Sequence, residues 1–153
     1  MSFLAGSYLP DFANGVLVIG MVGLAAARLG RGAPATATAE RRVLAVAAYA
    51  VGIALFTAIM GNAYAAFPVM KAAVGLPLVV QKFGGDPAVV CAIGMLSGFC
   101  GTLVTPMAAN FNAVPAALLE LPDRNGVIHV QAPTALVLLL GNIVLMYVLA
   151  FPR

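Results

Sequence analysis

Charge is what this chain lacks most. Lys and Arg together number 8 and Asp and Glu 5, so that 8% of 153 residues are charged, whereas soluble domains carry about 25%. So few charged groups cannot clothe a globule in water, and the remainder is 63% hydrophobic, with a mean hydropathy of +1.04. The formal net charge of +3 is scattered, with no basic stripe or aromatic-interleaved Lys/Arg run, which excludes a nucleic-acid partner. Histidine is nearly absent: His129 is the only one. With no metal-ligand spacing and no paired carboxylates in the apolar blocks, no catalytic set and no metal site can be assembled, and Ser97 has no histidine near it in sequence to make a serine protease. Cys91 and Cys100 lie in one apolar block without CxxC spacing, and read as small buried hydrophobes. No signal peptide is expected. The first residues lack a basic n-region and Asp11 precedes the first apolar run, so Ala25 to Ala27 reads as helix and not as a cleavage site.

What is present is apolar sequence long enough for about five crossings at about 20 residues each. The expected fold is an all-α integral membrane protein, one polytopic domain over 1–153, with broken or re-entrant helices of the ion-transporter kind. A first span covers 12–29, with Gly15, Gly20 and Gly23 spaced for helix contact. The hydrophilic loop 30–42 follows. Arg28, Arg31, Arg41 and Arg42 around it place it in the cytoplasm by the positive-inside rule. A second span runs from Val43 to about Phe67 and ends or kinks at Pro68. Residues 69–80 are apolar but too short to cross, which predicts a re-entrant or interfacial segment. Lys71 within it either faces a bound anion or sends its stem to the headgroups. Asp86-Pro87 is a helix start, an N-cap followed by proline. That helix reaches about Val104, with Gly94 and Gly98 at a tight-packing spacing. Pro122 to Gly126 is an exposed turn, His129 a loop residue, and the last span starts at Pro133.

The stretch from Phe99 to Glu120 departs from this pattern. Within apolar sequence it holds Gly101, Thr102, Thr105, Pro106, Asn110, Asn112 and Pro115. Broken backbone among apolar spans is tolerated where it is buried in protein or lines a cavity, which points to a solute site. A helix broken at Pro106 leaves free N–H groups on the following piece, Met107 to Leu121, and these with the half-helix dipole suit a carboxylate. Thr102, Thr105, Asn110 and Asn112 add neutral donors and acceptors, either for a small solute or for one another across packed helices. Asn62 likewise either bonds a neighbouring helix or lines the cavity. Asn62 with Tyr64 ahead of Pro68, and Asn110 with Phe111 and Asn112 ahead of Pro115, form a crude pair of interrupted segments. Glu120 is the one acid of the apolar stretch. It is a weak candidate for coupling to a proton or cation, with an interfacial place as the alternative. No bound cofactor is expected.

The runs Ala-Ile-Met-Gly-Asn-Ala-Tyr-Ala-Ala-Phe-Pro-Val-Met (58–70) and Gly-Phe-Cys-Gly-Thr-Leu-Val-Thr-Pro-Met-Ala-Ala-Asn-Phe-Asn-Ala-Val-Pro-Ala-Ala-Leu-Leu-Glu-Leu (98–121) closely resemble a bacterial membrane family. It was long catalogued as a domain of unknown function and is now described as a subunit of an oxoproline (pyroglutamate) transporter. The likeness continues through Asn125-Gly126-Val127-Ile128 and Pro133-Thr134-Ala135, and 43–153 resembles the family's C-terminal half. Before Arg42 the match is weaker, and the loop from Gly30 to Glu40 stands where fuller members carry several helices, so the chain resembles a shortened form. The resemblance implies a multi-pass protein of the bacterial inner membrane that works with a second membrane subunit, with pyroglutamate or a similar small carboxylate as solute. A homo-oligomer is a further expectation. The alternative is a non-transporting accessory or assembly subunit, or a truncated remnant.

Overall fold

The computed structural model describes residues 38–123 and 125–151. The expected first span 12–29 and residues 30–37 of the loop lie outside the described residues. Among those described the fold is all-α, with no strand, and its helices are those of an integral membrane protein. Three are long and apolar enough to cross a bilayer: α1 (Ala39–Met60), α2 (Ala63–Lys82) and α5 (Gly126–Ala150). A fourth apolar helix, α3 (Pro87–Leu103), is shorter. Between α3 and α5 the chain makes a non-helical step, a π-helical turn at Ala109–Ala113 and the short α4 (Val114–Leu118).

Helix starts and stops follow local chemistry. Asp86 accepts the Ala88 and Val89 N–H groups at 2.8 and 3.0 Å, with Pro87 in the first turn, as the Asp-Pro pair predicts. The expected span 43–67 is not one helix. It starts earlier, at Ala39, so that residues 39–42 of the predicted loop are helical, and it stops at Met60. Gly61 takes the left-handed conformation (φ 71°) with its N–H on the Thr57 carbonyl, a stop that glycine adopts without steric cost. Asn62 then restarts the chain as N-cap of α2, its side-chain oxygen accepting the Tyr64 N–H at 2.9 Å. A two-residue break hardly alters hydropathy averaged over a span.

Pro68, the expected stop, lies inside α2, and so the expected re-entrant segment 69–80 is the continuation of a 20-residue helix. After Pro68 the winding widens to the π form over Lys71–Lys82. Wider turns carry the i−4 carbonyl away from the ring of Pro77, where an α-helix would clash. The last span starts at Gly126 and not at Pro133, and His129 is helical. Pro133 removes a bond to the His129 carbonyl at the exposed end of α5, where water can take its place.

Glycines set the packing of α1, α2 and α3. Tyr49 of α1 is fully buried, and its ring lies where side chains on Gly75 of α2 and Gly94 of α3 would stand, 2.9 Å from each ideal Cβ position. Lower on the same seam Gly98 faces Thr57, and a Cβ on Gly101 would meet the Ala54 carbonyl oxygen and the Thr57 side chain. α1 and α3 therefore run parallel with backbones in close contact, and α5 covers them with a narrow buried stripe of Ala135, Asn142, Met146 and Ala150. The remaining faces of α5 are exposed and apolar, as suits a helix against lipid.

Overpacking a close seam costs about 1–3 kcal/mol. Gly101→Ala is therefore expected to lower thermal stability in detergent markedly. Gly141→Ala in α5, where a Cβ meets nothing within 4 Å, is expected to be neutral or to gain up to about 1 kcal/mol in helix propensity. Equal effects of the two substitutions would refute the glycine seam.

Candidate functional site

Two helix breaks meet at one end of the bundle. α1 stops at Met60 and α3 at Leu103, and an ideal Cβ on Gly61 would stand 2.7 Å from Met107 just after the second break. Each interrupted helix leaves carbonyls that its own backbone does not satisfy. Partners come from the second break. The Thr105 hydroxyl donates to the Ala58 carbonyl of α1 at 2.5 Å and accepts the Met107 N–H at 3.2 Å. The Asn112 amide nitrogen donates to the Thr102 and Thr105 carbonyls at the end of α3, at 3.0 and 2.7 Å. Both side chains are buried. Thr105 thus caps α1, and Asn112 caps α3.

The sequence-predicted residues accordingly fall into two sets. Thr105 is a strut between the breaks, and Asn112 ties the segment after the second break back to the end of α3. Asn62, Thr102 and Asn110 line a cavity of about 300 Å³ with Tyr64, Phe99 and Phe111. The two crude motifs of the sequence, Asn62 with Tyr64 and Asn110 with Phe111, thus come to one place. Phe99 joins them, its ring edge-on to Tyr64 at 5.5 Å and to Phe111 at 6.5 Å between centroids. Thr102 is buried at the cavity wall and its hydroxyl donates to the Phe99 carbonyl at 2.6 Å. Asn110 is exposed and its side-chain amide has no partner among the described residues. Asn62 spends its oxygen on the Tyr64 N–H, and its NH₂ group has no partner among the described residues.

The half-helix after Pro106 has no free row of N–H groups. Those of Met107, Ala108, Ala109, Phe111 and Asn112 bond the Thr105 hydroxyl or the carbonyls of Thr105, Met107 and Ala108. The helix N-terminus that opens on the cavity belongs instead to α2, whose first residues Ala63 and Tyr64 line it. Its partial positive charge suits an anion. Lys71 is elsewhere, its ammonium 5.8 Å from the Phe67 ring centroid.

A second cavity of about 530 Å³ lies on the other side of the segment 106–121, lined by Pro106, Asn112, Ala116, Glu120 and Asn125. Glu120 is exposed with φ 47°. The Leu121 N–H bonds the Ala116 carbonyl at 3.0 Å and the Glu120 N–H the Ala117 carbonyl at 3.3 Å, a Schellman turn with glutamate where glycine is usual. The buried Asn112 oxygen has no partner. Among the described residues no group of three or more His, Cys, Asp or Glu could hold a metal ion. Sequence reading passed over Asn142, buried on α5 with its amide nitrogen 3.7 Å from Cys100 Sγ; a lone amide in a uniformly apolar run was the available signal.

Losing a buried cap leaves carbonyls unpaired at about 1–3 kcal/mol. Asn112→Ala and Thr105→Val are each expected to lower the unfolding temperature, whereas Asn110→Ala at the exposed amide changes stability by less than about 0.5 kcal/mol. Glu120→Gly relieves a left-handed glutamate and is expected to stabilise by about 1 kcal/mol. Calorimetry or thermal-shift measurement in detergent checks both.

A family model described as protein of unknown function (DUF979) matches residues 29–151. No curated protein and no solved structure matches the chain.

Proposed function

The chain belongs to the family described as protein of unknown function (DUF979), and on that premise we propose that this membrane protein is a subunit of a transporter for a small carboxylate of the pyroglutamate type. One observation carries the reading: two interrupted helices converge on a polar-lined cavity of about 300 Å³ in an otherwise apolar bundle. That volume is at the lower end of small-molecule sites, about 300–1,000 Å³. Transporters hold solutes where helix ends turn their backbone groups toward a cavity, and here such ends meet at one end of the bundle.

The chemistry of the lining supports such a solute. A lactam presents its N–H and C=O on one side, and a carboxamide side chain such as Asn110 can pair with both, donating to one and accepting from the other. The solute carboxylate would face the α2 N-terminus and the Asn62 NH₂ group. The rings of Phe99 and Tyr64 offer apolar walls to the methylene carbons. Thr105 and Asn112 shape the cavity without touching the solute. The proposed setting is the bacterial inner membrane, with a second membrane subunit and no catalytic step.

Uptake of labelled pyroglutamate is measured in cells lacking their own route, with this chain alone, with its partner subunit, and with the partner alone. Uptake that requires this chain, and that Asn110→Ala abolishes while membrane levels of the protein hold, is the expected result. If the partner alone transports, the chain is an accessory subunit. Full uptake by Asn110→Ala would remove the proposed cavity from the transport path.

A further inference from the structure

The helix directions decide which face of the membrane the cavity serves. α1 begins with Arg41 and Arg42, and at about 1.5 Å per residue its 22 residues reach about 33 Å, the thickness of the hydrocarbon core. The breaks therefore lie at the far ends of α1 and α3 and not at mid-depth. α2 returns to end at Lys82, α3 goes out again, and α5 comes back. The return is fixed by the Asp86 N–H on the Ala150 carbonyl at 2.9 Å and by the Arg42 guanidinium 5.1 Å from the Phe151 ring centroid. The starts of α1 and α3 and the ends of α2 and α5 thus share one face.

Cations gather on that face. Of the 8 Lys and Arg, Arg41, Arg42 and Lys82 stand there among the described residues. Lys71 is within α2. Only Arg124 belongs by sequence to the turn at the opposite end, between Glu120, Asp123 and Asn125. Positive charge flanking spans marks the cytoplasmic side, and the three described cations at helix ends all stand on this face.

We infer that the cavity between the helix breaks is an entrance site, open to the side of the membrane opposite the cytoplasm, which loads a small carboxylate from outside. The sidedness stands on helix direction and charge alone; the identity of the solute rests on the transporter reading. Both cavities flank the segment 106–121 at this outer end, and Asn110, exposed on it, is reached without crossing the bundle.

The test is modification by a membrane-impermeant maleimide in a chain whose two native cysteines are replaced by alanine, co-expressed with its partner subunit. Asn110→Cys and Tyr64→Cys report the cavity, and Lys82→Cys reports the opposite face. The expected result is modification of the first two on intact spheroplasts and loss of that modification in inverted vesicles, with Lys82→Cys behaving in reverse. Pyroglutamate is expected to slow modification of Asn110→Cys. Cavity positions modified only in inverted vesicles, or all three positions modified from one side, would overturn the sidedness. Outside modification that pyroglutamate leaves unchanged supports the sidedness and counts against this solute at this cavity.

Discussion

The unsatisfied carbonyls at the ends of two parallel helices are the constraint on which the rest of this structure depends. α1 and α3 each stop short of a continuing turn, and in apolar surroundings an unpaired carbonyl costs several kcal/mol by transfer. Water cannot serve the buried ones. Thr105 and Asn112 serve them instead, each borrowed from the chain beyond the second break. The Thr105 bond that caps α1 is therefore also the bond that holds the two breaks against each other, while Asn112 folds the following segment back on α3.

The capping of α1 by Thr105 works only if the two helix ends arrive in register. The glycine seam provides this. Gly94, Gly98 and Gly101 let α3 lie on α1, with Tyr49 filling the space left by Gly75 and Gly94. A bulkier seam would push the axes apart, and Thr105 would no longer reach Ala58. Stability and site geometry are thus coupled through the same contacts, whereas the exposed Asn110 and Tyr64 stand outside that coupling and are free to serve a ligand.

The location of the breaks bears on how such a protein would work. At the end of a full-length span a cavity needs no deep channel to be reached from one side, so a transporter built this way would capture its solute at the membrane surface. Passage through the bilayer then requires further surface, and the exposed apolar faces of α5 are available to lipid or to a companion subunit. The segment 106–121 separates the two cavities and is tied to the bundle by the buried amide of Asn112, by Met107 against Gly61 and by the Phe111 ring on Phe99.

Much of this was legible without coordinates. Hydropathy and scarce charge determined the membrane class and the all-α fold, because an apolar solvent forces backbone groups to pair within helices. Asp86-Pro87 marked a helix start, since a cap acts on residues two and three further on. The polar run 99–120 and the Asn62 motif named the residues that meet at the breaks. Tertiary structure decided their roles. Whether an asparagine caps a neighbour or faces a cavity depends on which carbonyls lie within 3 Å, and for Asn112 those belong to residues seven and ten positions back, for Thr105 to one forty-seven away. It also decided where spans end: Pro68 lies inside α2 and Pro133 near the exposed start of α5, while the modest Gly61-Asn62 pair made the real break, with Met107 packed where a side chain on Gly61 would stand. Local sequence reports what a residue can bond; only the packing of distant segments selects the partner.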